Sequence, residues 1–132
     1  GAWVGIEQLT LERVLGGLLQ PLAWALGIPW DEAQLAGSLI GQKFILNEFV
    51  AYVTFSEVAA QLSPHSQAIV IFALCGFANL SSIAILLGGL GAVAPERRDD
   101  ISRYGFRALI AASLSNLMSA ALAGFFLTLG AA

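Results

Sequence analysis

Charge is what this sequence has least of: nine acidic and six basic residues in 132, or 11%, against roughly 25% in ordinary soluble domains. With 58% hydrophobic residues and a mean hydropathy of +0.79, that scarcity excludes a soluble globular chain. Basic surface is also missing, since the net charge is −3 and the sequence pI about 4.9, which removes nucleic acid as a partner. The single cysteine, Cys75, excludes an internal disulfide and reads as a small buried hydrophobe within an apolar run. His65, alone beside Pro64, reads as a solvated turn residue without co-ligands for a metal. No serine, histidine and acid cluster supports hydrolysis, so the chain is not read as an enzyme. The start Gly1-Ala2-Trp3 has neither a basic stretch nor a cleavage pattern, which suggests a segment of a longer protein without a signal peptide.

The charges that exist are unevenly placed. None lies between Glu57 and Glu96, none follows Arg107, and seven crowd into 96–107. Charge-free runs of that length read as membrane spans, and the whole as an all-α, multi-pass integral membrane chain facing lipid.

Residues 1–30 hold all three tryptophans, Trp3, Trp24 and Trp30, side chains that favour the hydrocarbon–headgroup boundary. Gln8, Glu12, Gly16 and Gln20 recur every four residues opposite Leu11, Val14, Leu15, Leu18, Leu19 and Leu22. The pattern predicts the end of a preceding segment followed by an amphipathic helix along the interface, bent and ended by Pro21 and Gly27-Ile28-Pro29. Asp31 is the expected N-cap of the next helix.

Residues 31–62 do not suit one crossing, because Lys43 and Glu48 lie near the middle and a central charge costs about 2.5–3.5 kcal/mol on insertion. Splitting the stretch near Asn47 gives halves of about 22 Å, short of a hydrocarbon core of about 30 Å. A re-entrant helical hairpin resolves the conflict. Residues 65–94 are apolar and long enough to cross, but Cys75-Gly76-Phe77-Ala78-Asn79-Leu80-Ser81-Ser82 in their middle predicts an unwound break, hence a discontinuous transmembrane helix. Gly89-Leu90-Gly91-Ala92-Val93-Ala94 fits a dinucleotide-binding spacing without the strand that motif requires. Residues 100–132 form the final transmembrane helix. Arg97, Arg98, Arg103 and Arg107 place the preceding loop on the cytoplasmic side, and Ser113, Asn116, Ser119 and Gly124 suit close helix packing.

Glu48 is the sharpest chemical signal, since an acid at membrane depth is by default functional. The alternative is an internal ion pair with Lys43, poorly spaced at five residues for a helix face. Asn79 and Ser82 stand three apart, so they share a face if helical and are joined by backbone carbonyls if unwound. A carboxylate beside two neutral donor-acceptors matches a hydroxyl-bearing ligand; the alternative is interhelical hydrogen bonding worth about 0.6 kcal/mol each.

Two strings then stand out: Gly41-Gln42-Lys43-Phe44-Ile45-Leu46-Asn47-Glu48-Phe49-Val50-Ala51-Tyr52 and Ala73-Leu74-Cys75-Gly76-Phe77-Ala78-Asn79-Leu80-Ser81-Ser82-Ile83-Ala84-Ile85. Together with Gly88-Gly89-Leu90-Gly91 through Pro95-Glu96-Arg97-Arg98, they resemble the C-terminal half of concentrative nucleoside transporters. The resemblance implies one of two inverted repeats of a trimeric symporter in the bacterial inner (plasma) membrane. Such a symporter moves nucleosides inward with sodium, or in some members protons. It implies that Glu48, Asn79 and Ser82 bind the ribose, that Phe77 lines the same pocket and that Asn47 shapes the hairpin tip. The family's other hairpin, with its Gly-Gln-Thr-Glu type motif, has no counterpart here. The chain is therefore expected to supply about half of a binding site, to hold no sodium or other cofactor itself, and to need the N-terminal half for transport. Two rivals stay open: another secondary transporter or channel using Glu48 as a cation or proton site, and a non-transporting assembly subunit.

Overall fold

The computed structural model describes residues 10–130; Trp3 and Gln8, and the last two residues of the final span, lie outside the described residues. Every regular element among the described residues is helical.

Helix α1 (Leu11–Ala25) begins at Thr10, whose hydroxyl accepts from the Arg13 amide at 3.3 Å. Pro21 lies inside it, and the helix ends just before Gly27, as the Gly27-Ile28-Pro29 step indicated; the Gly27 φ of +101° is a conformation side-chain-bearing residues rarely adopt. Helix α2 (Trp30–Ile45) starts two residues before the sequence pattern indicated: Pro29 is its cap, and its carbonyl accepts from Glu32 and Ala33. Asp31 is therefore not the N-cap. It sits with Glu32 in the first turn, where carboxylates favour the positive helix pole.

Helix α1 turns Leu15, Leu19, Leu22 and Ala23 inwards and leaves Glu12 and Arg13 exposed, yet it also leaves apolar side chains outside. Leu15, Gly16 and Ala23 are buried, while Leu11, Val14 and Leu18 point outwards, Leu18 at 71% exposure. Gln20 turns inwards and donates to the Trp30 carbonyl at 3.1 Å. The helices approach through Gly16 and Gly37: a Cβ on Gly37 would lie 2.9 Å from the Leu19 carbonyl carbon and 3.0 Å from the Gly16 oxygen. Small residues that let backbones touch are the means of packing helices when apolar surface is left to the surroundings.

Helix α3 (Glu48–Val58) comes after α2 with only Leu46 and Asn47 between them, and the two pack together. Gln42 bridges them, accepting from Thr54 at 3.0 Å and donating to Ser38. After a 3-10 turn at Ala59–Gln61, α4 (Pro64–Leu74) begins with Ser63 as cap. Glu32 accepts from the Ser63 amide and hydroxyl at 3.1 and 3.0 Å, closing the end of the α2–α3 pair remote from residues 46–47. His65 lies in the first helical turn of α4, half-buried, and not in an open turn.

The chain is non-helical over 75–79 and resumes as α5 (Leu80–Val93). A 3-10 turn at Pro95–Arg97 leads into α6 (Arg98–Gly130), 33 residues, or about 50 Å at 1.5 Å per residue. Helix α6 lies along α4 and α5. With its leading turn it is the one described helix long and apolar enough to cross a membrane; α4 and α5 are apolar but shorter. Its exposed Ile110, Leu114, Met118, Phe125 and Phe126 form an apolar surface far beyond what a water-facing monomer shows.

Candidate functional site

Two helices begin at the same place. Asn47 caps α3, its side-chain oxygen accepting from the Val50 amide at 2.9 Å, and Asn79 caps α5 in the same way on Ser82 at 2.9 Å. Asparagine is suited to this because its short amide replaces the missing backbone acceptor of the first turn. The Ser82 hydroxyl in turn accepts from the Asn79 amide at 3.4 Å, completing a reciprocal box. Both positive helix poles are thus brought to the Glu48 carboxylate, the first residue of α3.

The breaks are stitched together by side chains. Asn79 Nδ2 donates to Glu48 Oε2 at 3.1 Å and Ser81 Oγ reaches the Leu46 carbonyl at 3.5 Å. Asn79 is buried, whereas Glu48 and Ser82 are half-exposed. Ser82 Oγ donates to the Phe77 carbonyl at 2.7 Å and lies 3.1 Å from Asn79 Oδ1. Glu48 Oε1 has no hydrogen-bond partner among the described residues. The result is an oriented carboxylate with one oxygen held and one available, beside a hydroxyl and a buried amide, an arrangement that can accept hydrogen bonds from a polyhydroxyl ligand.

The opposite side of the break is the C-terminal end of α4, where backbone carbonyls lose their helical donors. Each replacement is specific. Tyr52 donates to the Ile71 carbonyl at 2.9 Å, the Cys75 amide to Phe72, and both Lys43 Nζ (3.1 Å) and Asn116 Nδ2 (2.6 Å) to Ala73. Gly76 permits the approach of Asn116, since a Cβ there would lie 2.6 Å from the Asn116 Cγ.

A groove of about 650 Å³ runs from the break between α5 and α6, lined by Phe77 and Ser82 among others. Its walls are chiefly apolar, with Ser82, Ser115, Asn116 and Ser119 as polar exceptions. Glu48 and Asn79 lie outside that lining.

The sequence pattern of the family described as the Na+ dependent nucleoside transporter C-terminus matches residues 1–124. The chain belongs to that family. It is 55% identical over 132 residues to the putative nucleoside permease NupX of Escherichia coli (strain K12), covering 98% of this chain and 32% of that protein. It is 36% identical to sodium/nucleoside cotransporter 1 of Rattus norvegicus, with 94% of this chain and 22% of that protein aligned. The solved structure of CNTnw in an inward-facing substrate-bound state superposes with a TM-score of 0.93 at 57% identity, over 100% of this chain and 33% of that one. The chain thus spans about a third or less of the length of the relatives it matches. Its all-helical fold is that of the nucleoside transporters, and it is a non-enzymatic part of an integral membrane protein.

Within this transporter fold, Glu48, Asn79 and Ser82 form one hydrogen-bonded cluster; Phe77 is 71% exposed and lines the adjoining groove, and the Asn47 oxygen is committed to its cap. The alternative of a Lys43–Glu48 ion pair does not hold among the described residues, because the Lys43 ammonium points to the α4 carbonyl end across the α2–α4 contact. One expectation is corrected. Cys75 is exposed, because the helix ends there and turns its side chain out of the core. Sequence reasoning missed the donors on the α4 end. The available signal was a lysine in an apolar stretch that had no partner at helical spacing.

Proposed function

We propose that this chain is the C-terminal part of a nucleoside symporter coupled to sodium, or alternatively to protons. In this reading, residues 31–62 are a re-entrant hairpin, 65–94 a discontinuous transmembrane helix and 100–132 the final span. Residues 1–30 are the end of a preceding segment and an interfacial helix, and all belong to one transport domain of a homotrimer in the plasma membrane. The observation that carries the reading is the Glu48–Asn79–Ser82 cluster between two helix breaks. Discontinuous helices with paired termini are how transporters place substrate sites at membrane depth. Relatives named as nucleoside permeases and sodium/nucleoside cotransporters support the solute and the ion.

Mechanistically, the Glu48 carboxylate accepts from two ribose hydroxyls through its open lone pairs while Asn79 holds Oε2 fixed, and Ser82 and Asn79 complete the exchange of hydrogen bonds with the sugar. Phe77 bounds the site on the groove side, and Asn47 fixes the start of α3 and so the direction of the carboxylate. The base and the coupling ion are held by the N-terminal half. Transport proceeds by alternating access, with hairpin and broken helix moving as one body past the scaffold.

Uridine uptake into proteoliposomes containing the full-length transporter tests this directly. An inward sodium or proton gradient is expected to drive accumulation; a folded trimer that accumulates no nucleoside under either gradient would refute the reading.

A second result is expected at Asn79. Asp in its place keeps the cap on Ser82 but replaces the donor to Glu48 with a second carboxylate at about 3 Å. Like charges at that distance disfavour joint ionisation, so Asn79→Asp should weaken uridine binding by at least tenfold, measured by titration calorimetry. Equal affinity would remove Asn79 from the site.

A further inference from the structure

Lys43 is fully buried, yet its ammonium donates to a backbone carbonyl and not to a carboxylate. Buried ammonium groups are rare because desolvation is costly unless an opposite charge or dipole compensates. The compensation here is the α4 C-terminus, the negative pole of that helix, with the Phe44 ring 5.1 Å from the nitrogen as a second favourable neighbour. In transporters, half-helix C-terminal ends of this kind are where free cations coordinate. This chain brings the cation on a side chain instead.

We infer that Lys43 is a tethered cation that holds the broken end of α4 against the α2–α3 hairpin, and that it is a positioning residue for the substrate cluster. Asn116 already donates to the same Ala73 oxygen, so hydrogen bonding alone does not account for the lysine. What Lys43 adds is charge on the helix end and a link from α2 to α4. That link and the Asn79–Glu48 bond bracket the two breaks from opposite sides, the first joining α2 to α4 and the second α5 to α3. Ala73 is six residues before Asn79, so fixing it fixes the stem from which the non-helical segment departs. Its functional consequence rests on the nucleoside-transport reading, whereas its structural consequence does not.

The test uses the full-length transporter in lipid nanodiscs, comparing wild type, Lys43→Arg and Lys43→Met by hydrogen exchange of the 75–79 amides and, after transfer to proteoliposomes, by uridine uptake. Met keeps length and apolar bulk without charge, and Arg keeps charge. Exchange about tenfold faster in the Met variant, with the Arg variant near wild type, is expected, together with a raised KM for uridine at unchanged Vmax per folded transporter. An Arg variant that assembles where the Met variant does not would support the same conclusion. Wild-type exchange in the Met variant, or equal loss or equal failure to assemble in both variants, would overturn it, because packing and not charge would then be at work. Absence of uridine uptake by wild type would refute the transport reading alone, since the exchange comparison stands without it.

Discussion

Glu48→Gln in the full-length transporter is expected to lower nucleoside affinity by between two and four orders of magnitude while leaving the fold intact. The substitution is nearly isosteric. Asn79 Nδ2 now donates to Glu48 Oε2, and a glutamine can present its single oxygen to the same donor. The other terminal atom then becomes an NH2 where Glu48 Oε1 had been an acceptor. Two sugar hydroxyl bonds to a charged acceptor, at about 1.5–3 kcal/mol each, make the combined loss roughly 3–5 kcal/mol. At about 1.4 kcal/mol per tenfold, that gives the stated range. Titration calorimetry with uridine checks it, beside thermal unfolding to show that the variant is folded. If Glu48 were instead a cation or proton site, the variant would keep its nucleoside affinity and lose only gradient coupling. If the chain were an assembly element, the trimer would be perturbed with no solute bound in either form.

What could be read from the sequence was whatever leaves a local trace. The break at 75–79 announced itself because Gly76 and three polar side chains interrupt an apolar run. The cut near Asn47 was legible because two charges, Lys43 and Glu48, at the middle of an apolar stretch do not suit a single unbroken helix in a membrane. The bringing together of those breaks was not legible, because Glu48 and Asn79 are 31 residues apart and their bond depends on how α2, α4 and α5 pack. For the same reason the pattern offered only a short-range partner for Lys43, at Glu48, whereas the ammonium finds its partner 30 residues away at Ala73. The close approach of α1 to α2 was also hidden. Periodicity groups Gly16 and Gln20 with Glu12 on the polar face, whereas Gly16 is buried against α2 and Gln20 bonds to the Trp30 carbonyl.

That close approach yields the second large effect. Gly37 faces atoms of α1 that cannot rotate away: the Leu19 carbonyl carbon at 2.9 Å, with the Gln20 nitrogen and the Gly16 oxygen at 3.0 Å from a Cβ placed there. Gly37→Leu adds four carbons where the first already has no room, so α1 must lift from α2 along much of its length. Overpacking typically costs 1–3 kcal/mol and more where backbone blocks relaxation, so a loss of about 3 kcal/mol or more is expected. Gly17 supplies the contrast, since it lies on the exposed side of the same helix pair with nothing within 4 Å of its Cβ position. Gly17→Ala should therefore stabilise α1 by up to about 1 kcal/mol through helix propensity alone. Thermal unfolding of the detergent-solubilised full-length protein separates the two, the midpoint falling in the first variant and holding or rising in the second. Equal midpoints for Gly37→Leu and wild type would mean that α1 does not need this close approach. The leucine substitution also reaches the proposed substrate cluster, because α2 carries Lys43 six residues beyond Gly37 and leads directly into Asn47 and Glu48. Uridine affinity should accordingly fall with the midpoint in Gly37→Leu and stay at the wild-type value in Gly17→Ala.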